Sequence, residues 1–140
     1  MQHIQTPDAE KLGLPFSAAV RVGDLLFLSG ALGNLPGTLT LAGPDMKSQA
    51  RQTMENIGAT LKHCGLGFDD VVKVTVMLAD MAEWPEFNAI YVQYFAPGRL
   101  PARSAFGSNG FRLGLSSRWS TSRLRCTRTL ASQLAPRFSG

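Results

Sequence analysis

Apolar residues in this chain fall in short runs whose spacing switches between two and about three and a half. Ala19, Val20 and Val22, then Leu25 to Leu28, flank the pair Gly23-Asp24. Two strand-like runs around a Gly-Asp pair predict a tight hairpin over residues 18–29. Residues 30–43 are rich in Gly, Pro and Thr and read as loop, with a short strand near 38–41. Asp45 is placed to cap a helix running from Met46 to about Cys64. Within it Ala50, Met54, Ile57 and Leu61 recur at helical spacing, and Gly65 suits the stop.

Residues 71–78, VVKVTVML, are β-branched and nearly continuous, broken only by Lys73 and Thr75. That pattern predicts a central strand covered on at least one face. Asp80 with Glu83 three positions on reads as a capping box for a second helix, and Pro85 is tolerated in its first turn. Trp84, Phe87, Tyr91 and Tyr94 then form an aromatic stripe. A helix packing on a sheet needs this period, so core packing accounts for the stripe better than base stacking does. Pro97, Gly98 and Pro101 end the helix, and residues 102–106 read as a further strand. The order β-β-α-β-α-β predicts an α+β fold, a mixed sheet packed by two helices.

Beyond Gly110 the pattern fades. Neither Val nor Ile occurs there, and residues 115–133 hold no sustained period of 2 or 3.6, which predicts a floppy segment or at best a frayed strand. Charge changes at the same place. Residues 1–110 carry all ten acidic residues against eight Lys or Arg, whereas Arg112, Arg118, Arg123, Arg125, Arg128 and Arg137 stand in a stretch with no acid. The formal charge of +4 thus describes a slightly acidic domain with a basic tail.

The 140 residues suit one domain with a self-sufficient core. No run approaches the roughly 18 apolar residues of a membrane span, and the start lacks the order of a secretory signal. Two cysteines without metal spacing, and only His3 and His63, predict a cytoplasmic protein with reduced thiols and no His-rich metal site. Cys64 reads as a small apolar side chain and His63 as a solvated partner of the helix end.

Several strings, in order, resemble the RidA/YjgF/RutC family of small trimeric proteins. They are residues 14–17 (LPFS), 23–30 (GDLLFLSG), 52–56, 69–76 (DDVVKVTV), 87–91 (FNAIY) and 101–104 (PARS). The resemblance runs from about Leu14 to Gly114. It implies a chorismate-mutase-like α+β subunit, a homotrimer, and clefts between subunits that bind a small carboxylated metabolite. It further implies hydrolysis of reactive enamines and imines to 2-oxo acids and ammonia, with no metal or organic cofactor and no membrane.

By the same resemblance Arg103 is the carboxylate-binding arginine and the catalytic candidate. A guanidinium fork suits that task, because it grips a carboxylate through two charge-assisted hydrogen bonds. Ser29 and Gly30 match the turn lining the cleft, where a small residue lets backbone approach ligand. Asn88 matches a polar position of the deaminating members, and Phe16 a substrate-contacting one. Each also has a plainer reading: an exposed edge charge, an ordinary strand-ending turn, a solvated helix residue.

The chain departs from the family in three places. Phe16 stands where a Tyr is usual, Ala105 where a Cys is frequent, and no acidic residue follows Glu86, so the family's C-terminal Glu is missing. A strand without acid supplies no general acid or base. The departure begins right after Phe111-Arg112-Leu113-Gly114, which still fits the family turn. Residues 115–122, LSSRWSTS, admit codons that encode Ala-Glu-Leu-Glu-Val-Glu-Tyr-Leu once a single G is inserted. This predicts that residues 1–114 form the family domain and that 115–140 are out-of-frame sequence. The last strand would then be corrupted or missing and would leave an open sheet edge.

Three functions follow from these readings. The first is an enamine or imine deaminase with Arg103 on the substrate carboxylate and water as nucleophile. The second, which Phe16 and Ala105 favour, is a non-catalytic trimer holding a carboxylated metabolite. The third is nucleic-acid binding by the Arg-rich tail, with Trp119 stacking on a base, or RNA cleavage. Against RNA cleavage stands the lack of a His pair or a metal-binding carboxylate cluster.

Overall fold

The computed structural model describes residues 1–107 and the backbone of 123–129. Six strands form one sheet in the order β1-β2-β3-β6-β4-β5. They are β1 (Gln2–Ile4), β2 (Ala19–Val22), β3 (Leu25–Leu28), β4 (Lys73–Leu78), β5 (Ala102–Gly107) and β6 (Arg123–Thr129). Three helices accompany them: α1 (Pro7–Leu12), α2 (Met46–His63) and α3 (Trp84–Tyr91). Hairpin β2–β3 turns at Gly23, whose φ of 56° is left-handed backbone that suits glycine.

Because β6 runs antiparallel to both β3 and β4, those two strands are parallel to each other. β4 and β5 are parallel as well. Parallel neighbours need a crossover, and α2 and α3 supply the two crossovers and pack against each other. The core lies under them. β4 alternates strictly, with Val74, Val76 and Leu78 buried beneath the helices. Leu26 and Leu28 from β3, Ala50, Met54, Ile57 and Leu61 from α2, and Phe87, Ile90 and Tyr91 from α3 complete it.

The α+β class, the hairpin, both long crossovers and the strand at residues 102–107 agree with the sequence pattern. Four details differ. A β1–α1 unit precedes the hairpin, where Thr6 caps α1 by accepting from Ala9 N–H and Gly13 closes it. Residues 38–41 form no strand; only a bridge between Asn34 and Leu41 is present. Asp80 caps its segment through Ala82 N–H at 2.9 Å, but Glu83 gives no reciprocal bond, and a 3-10 turn (Met81–Glu83) leads into α3. Asp45 does cap α2, accepting from Ser48 N–H at 2.9 Å and from its hydroxyl, and these bonds hold its carboxyl below the ordinary range.

The fourth difference concerns the last strand. The open edge expected there is instead filled by β6, which pairs with β3 on one side and β4 on the other. Its register sets Leu124 opposite Val76 and Cys126 opposite Val74. The reason is that β3 and β4 offer two facing rows of backbone donors and acceptors, and ladder bonds do not depend on side-chain identity. The expectations for residues 111–122, including Trp119 and the turn at Gly114, lie outside the described residues. No helix among the described residues is long and apolar enough to cross a membrane.

Candidate functional site

The expected site residues fall into two groups in the protomer. Arg103 and Asn88 meet directly, Nη1 donating to Asn88 Oδ1 at 2.7 Å. Phe16, Ser29 and Gly30 line a cavity of about 820 Å³, to which neither Arg103 nor Asn88 contributes.

Arg103 owes its place to strand parity. Its register partner is Val74, which faces the helices, so Arg103 lies on the helix-covered side of the edge strand β5. There α3 presents Trp84, Asn88 and Tyr91 at i, i+4 and i+7, one face of the helix. The guanidinium carbon sits 4.5 Å from the Trp84 ring centroid and 4.8 Å from that of Tyr91. Trp84 is itself stacked on Phe87, and Phe87 meets Tyr91 at a tilt, so this platform is anchored in the core. Arg103 is exposed at the sheet edge but does not splay into solvent. Among the described residues its partners are a neutral amide and two aromatic faces, so no carboxylate neutralises it. A cation held this way keeps donors available for an anion.

The cavity is lined by apolar side chains, Leu14 and Phe16 among them, and by polar ones from α2, among them Gln52, Glu55, Asn56 and His63. Gln5 positions its floor, donating to the Phe16 carbonyl at 3.0 Å and accepting from Ala18 N–H at 2.8 Å. Ser29 donates its hydroxyl to the Ser17 carbonyl at 2.6 Å, which fixes the turn into Gly30. The opposite wall is loop 30–43, stapled to α2. Asn56 donates to the carbonyls of Leu32 and Asn34, Gln52 donates to Asn56 Oδ1, and buried Gln49 donates to the Gly43 carbonyl. Gly33 permits the close approach, since a Cβ there would lie 2.6 Å from the Gln49 carbonyl oxygen.

Hydrogen bonds of Tyr94 link α2 to the segment just past α3. Glu55 lines the cavity from α2, and Tyr94, just past α3, donates its hydroxyl to Glu55 Oε1 at 2.7 Å. Burial and this bond push the Tyr94 phenol up to about 12. Cys64 is half-buried with its thiol pushed up by desolvation, so it stays protonated and unreactive near neutrality. Among the described residues no three of His, Cys, Asp and Glu gather as a metal-binding set.

Sequence reasoning named Arg103, Asn88, Phe16, Ser29 and Gly30 as candidates but did not name the residues that hold them. The aromatic stripe was read only as core. Its second role at Trp84 and Tyr91 follows from the β4–β5 register, which no local pattern announces. Gln52 and Asn56, at i and i+4, were a visible signal of a polar α2 face.

Two β-α-β crossovers on one face of a mixed sheet, with a prepared cation at its edge, define a chorismate-mutase-like α+β subunit. The chain belongs to the RidA/YjgF/RutC family: residues 6–115 match the family described as Endoribonuclease L-PSP. It is similar to Reactive Intermediate Deaminase A, chloroplastic, of Arabidopsis thaliana, 41% identical over 92 residues. That alignment covers 66% of this chain and 49% of the plant protein, so the chain spans about half the length of that relative. The mouse 2-iminobutanoate/2-iminopropanoate deaminase is also 41% identical over 92 residues, covering 66% of this chain and 67% of the relative. The crystal structure of RidA from a Psychrobacter species superposes with a TM-score of 0.79 at 30% identity, covering 92% of this chain and 99% of that one.

Proposed function

We propose that the chain is a hydrolase of reactive enamine and imine intermediates, releasing 2-oxo acids and ammonia. One observation carries this reading: Arg103 is a positive group held at the sheet edge by neutral partners, available for a substrate carboxylate. The names of the plant and mouse relatives point to the same chemistry. In the reaction water adds to the imine carbon of the 2-imino acid, the nitrogen gains protons, the carbon–nitrogen bond breaks, and ammonia leaves a 2-oxo acid. Two donors of Arg103 would grip the carboxylate and fix the imine carbon in place.

The same reading makes the functional unit a cytoplasmic homotrimer. The cavity of one subunit (Phe16, Ser29, Gly30) and the Arg103–Asn88 corner of the next would complete one site. The separation of the two groups within a protomer supports this. The proposal also treats residues 115–140 as out of frame, which resequencing of the gene tests: codons for residues 115–122 that yield no strand on a one-base shift exclude it.

Ammonia release from freshly generated 2-aminoacrylate or iminopropionate tests the catalytic reading, comparing the chain with its Arg103→Ala form. Phe16, Ala105 and the lack of acid beyond Glu86 favour the second reading, a trimer that binds a carboxylated metabolite without turnover. Binding of 2-oxo acids without ammonia release would establish that one.

A further inference from the structure

We propose that Trp84, Asn88 and Tyr91 are positioning residues that hold the Arg103 guanidinium in one orientation for its anionic ligand. This rests on the reading of Arg103 as a carboxylate-binding group and adds what makes it competent. A free arginine side chain spreads over many rotamers, and ordering it on binding costs affinity. Here the ordering is done beforehand. Two ring faces hold the guanidinium carbon at 4.5 and 4.8 Å, while Asn88 Oδ1 takes one N–H at 2.7 Å. The remaining N–H groups have no protein partner among the described residues.

The chemistry of the three partners suits this task. Each attracts the cation without cancelling its charge: the rings through their quadrupoles, the amide as a neutral acceptor. An Asp at position 88 would accept the same hydrogen bond but form an ion pair, leaving less positive charge for the ligand. Asn88 is therefore assigned to orienting Arg103, and the neutral character of its side chain is what the site requires. All three residues project from one face of α3, and Phe87, which is fully buried, backs both rings. The clamp is thus fixed to the core rather than to a loop.

The test combines a binding measurement with a direct view of the guanidinium. In 15N-labelled wild-type protein the Arg103 Nε–H proton should resonate upfield of an ordinary arginine, because it lies in the shielding region of two rings. Trp84→Leu should move that resonance back toward the ordinary position and raise the dissociation constant for 2-oxobutanoate about three- to tenfold. Trp84→Phe keeps a ring and should restore most of both. Asn88→Asp should weaken 2-oxobutanoate at least about tenfold, and Asn88→Gln much less.

An unshifted Arg103 resonance in wild type, or equal affinity in Trp84→Leu and wild type, overturns the clamp. Equal affinity in Asn88→Asp and wild type overturns the role given to Asn88. Failure of the carboxylate reading itself looks different: wild type and Arg103→Ala would bind 2-oxobutanoate equally weakly while the ring-current shift persists. Should Trp84→Leu fold poorly, the graded resonance and affinity changes of Trp84→Phe and Asn88→Asp decide the same question.

Discussion

The corner at Arg103 and the cavity at Phe16 are built on opposite principles. The corner is made by side chains: one charge, two rings and an amide set by strand register and helix phase. The cavity is shaped by a hairpin end, a Gly-rich loop and a helix whose polar side chains bond main-chain carbonyls. A charge-built corner loses its function when one group is removed, while its scaffold stays. A cavity whose wall is held by bonds to main-chain carbonyls loses its shape when that packing is disturbed.

The largest expected effect is on the corner. Arg103→Ala should lower kcat/KM for iminopropionate about a hundredfold or more, since two charge-assisted hydrogen bonds are lost together. Thermal stability should change little, because the side chain is exposed. An Arg103→Ala enzyme with wild-type kcat/KM would remove the corner from the site.

Gly33→Ala probes the cavity in the converse way. The added methyl would meet backbone of α2, the Gln49 oxygen at 2.6 Å and its Cα at 2.8 Å, and backbone yields less readily than a side-chain end. Destabilisation of about 1–3 kcal/mol is expected from denaturant midpoints, with the Arg103 resonance unmoved. A shift of that resonance would show the two regions to be one mechanical unit. Phe16→Tyr is smaller still. It places a hydroxyl at the cavity, and if a water is held there kcat should rise by no more than about tenfold, the worth of one hydrogen bond. A fall in kcat would mean that the apolar ring itself is needed.

How much of this was legible in the sequence follows the same division. α2 was readable because Ala50, Met54, Ile57 and Leu61 repeat at helical spacing behind an Asp45 cap, and all four are buried in the core. The β2–β3 hairpin was readable from Gly23-Asp24. α1 was not, since six residues offer too little periodicity and the helix rests on the Thr6 cap and Gly13. β6 was not, because its place depends on two backbone edges far away in sequence rather than on its own pattern. Arg103 was singled out through the Pro-Ala-Arg-Ser string, yet its contact with Trp84 and Tyr91 depends on the pairing of Val74 with Arg103. A one-dimensional pattern carries which residues face the core, and it carries poorly which strand lies beside which.

The smallest effect tests the bond between Tyr94, just past α3, and Glu55 on the cavity wall. Tyr94 donates to Glu55 at 2.7 Å, and its phenol is raised from 10.0 to about 12, first by burial and then by this bond. Between these values the unfolded chain releases the Tyr94 proton while the folded chain keeps it. The contribution is therefore complete below pH 10 and is lost as pH rises toward 12. Tyr94 is only half-buried, so solvent screening keeps it on the order of a few tenths of a kcal/mol. Tyr94→Phe keeps the ring against Phe68, whose centroid lies 5.3 Å away, and removes only the hydroxyl. The stability difference between wild type and Tyr94→Phe, from urea midpoints at successive pH values, should be constant to about pH 10 and shrink above it. A difference that stays flat through pH 12 would mean that the Tyr94–Glu55 bond contributes nothing to holding the segment past α3 against α2.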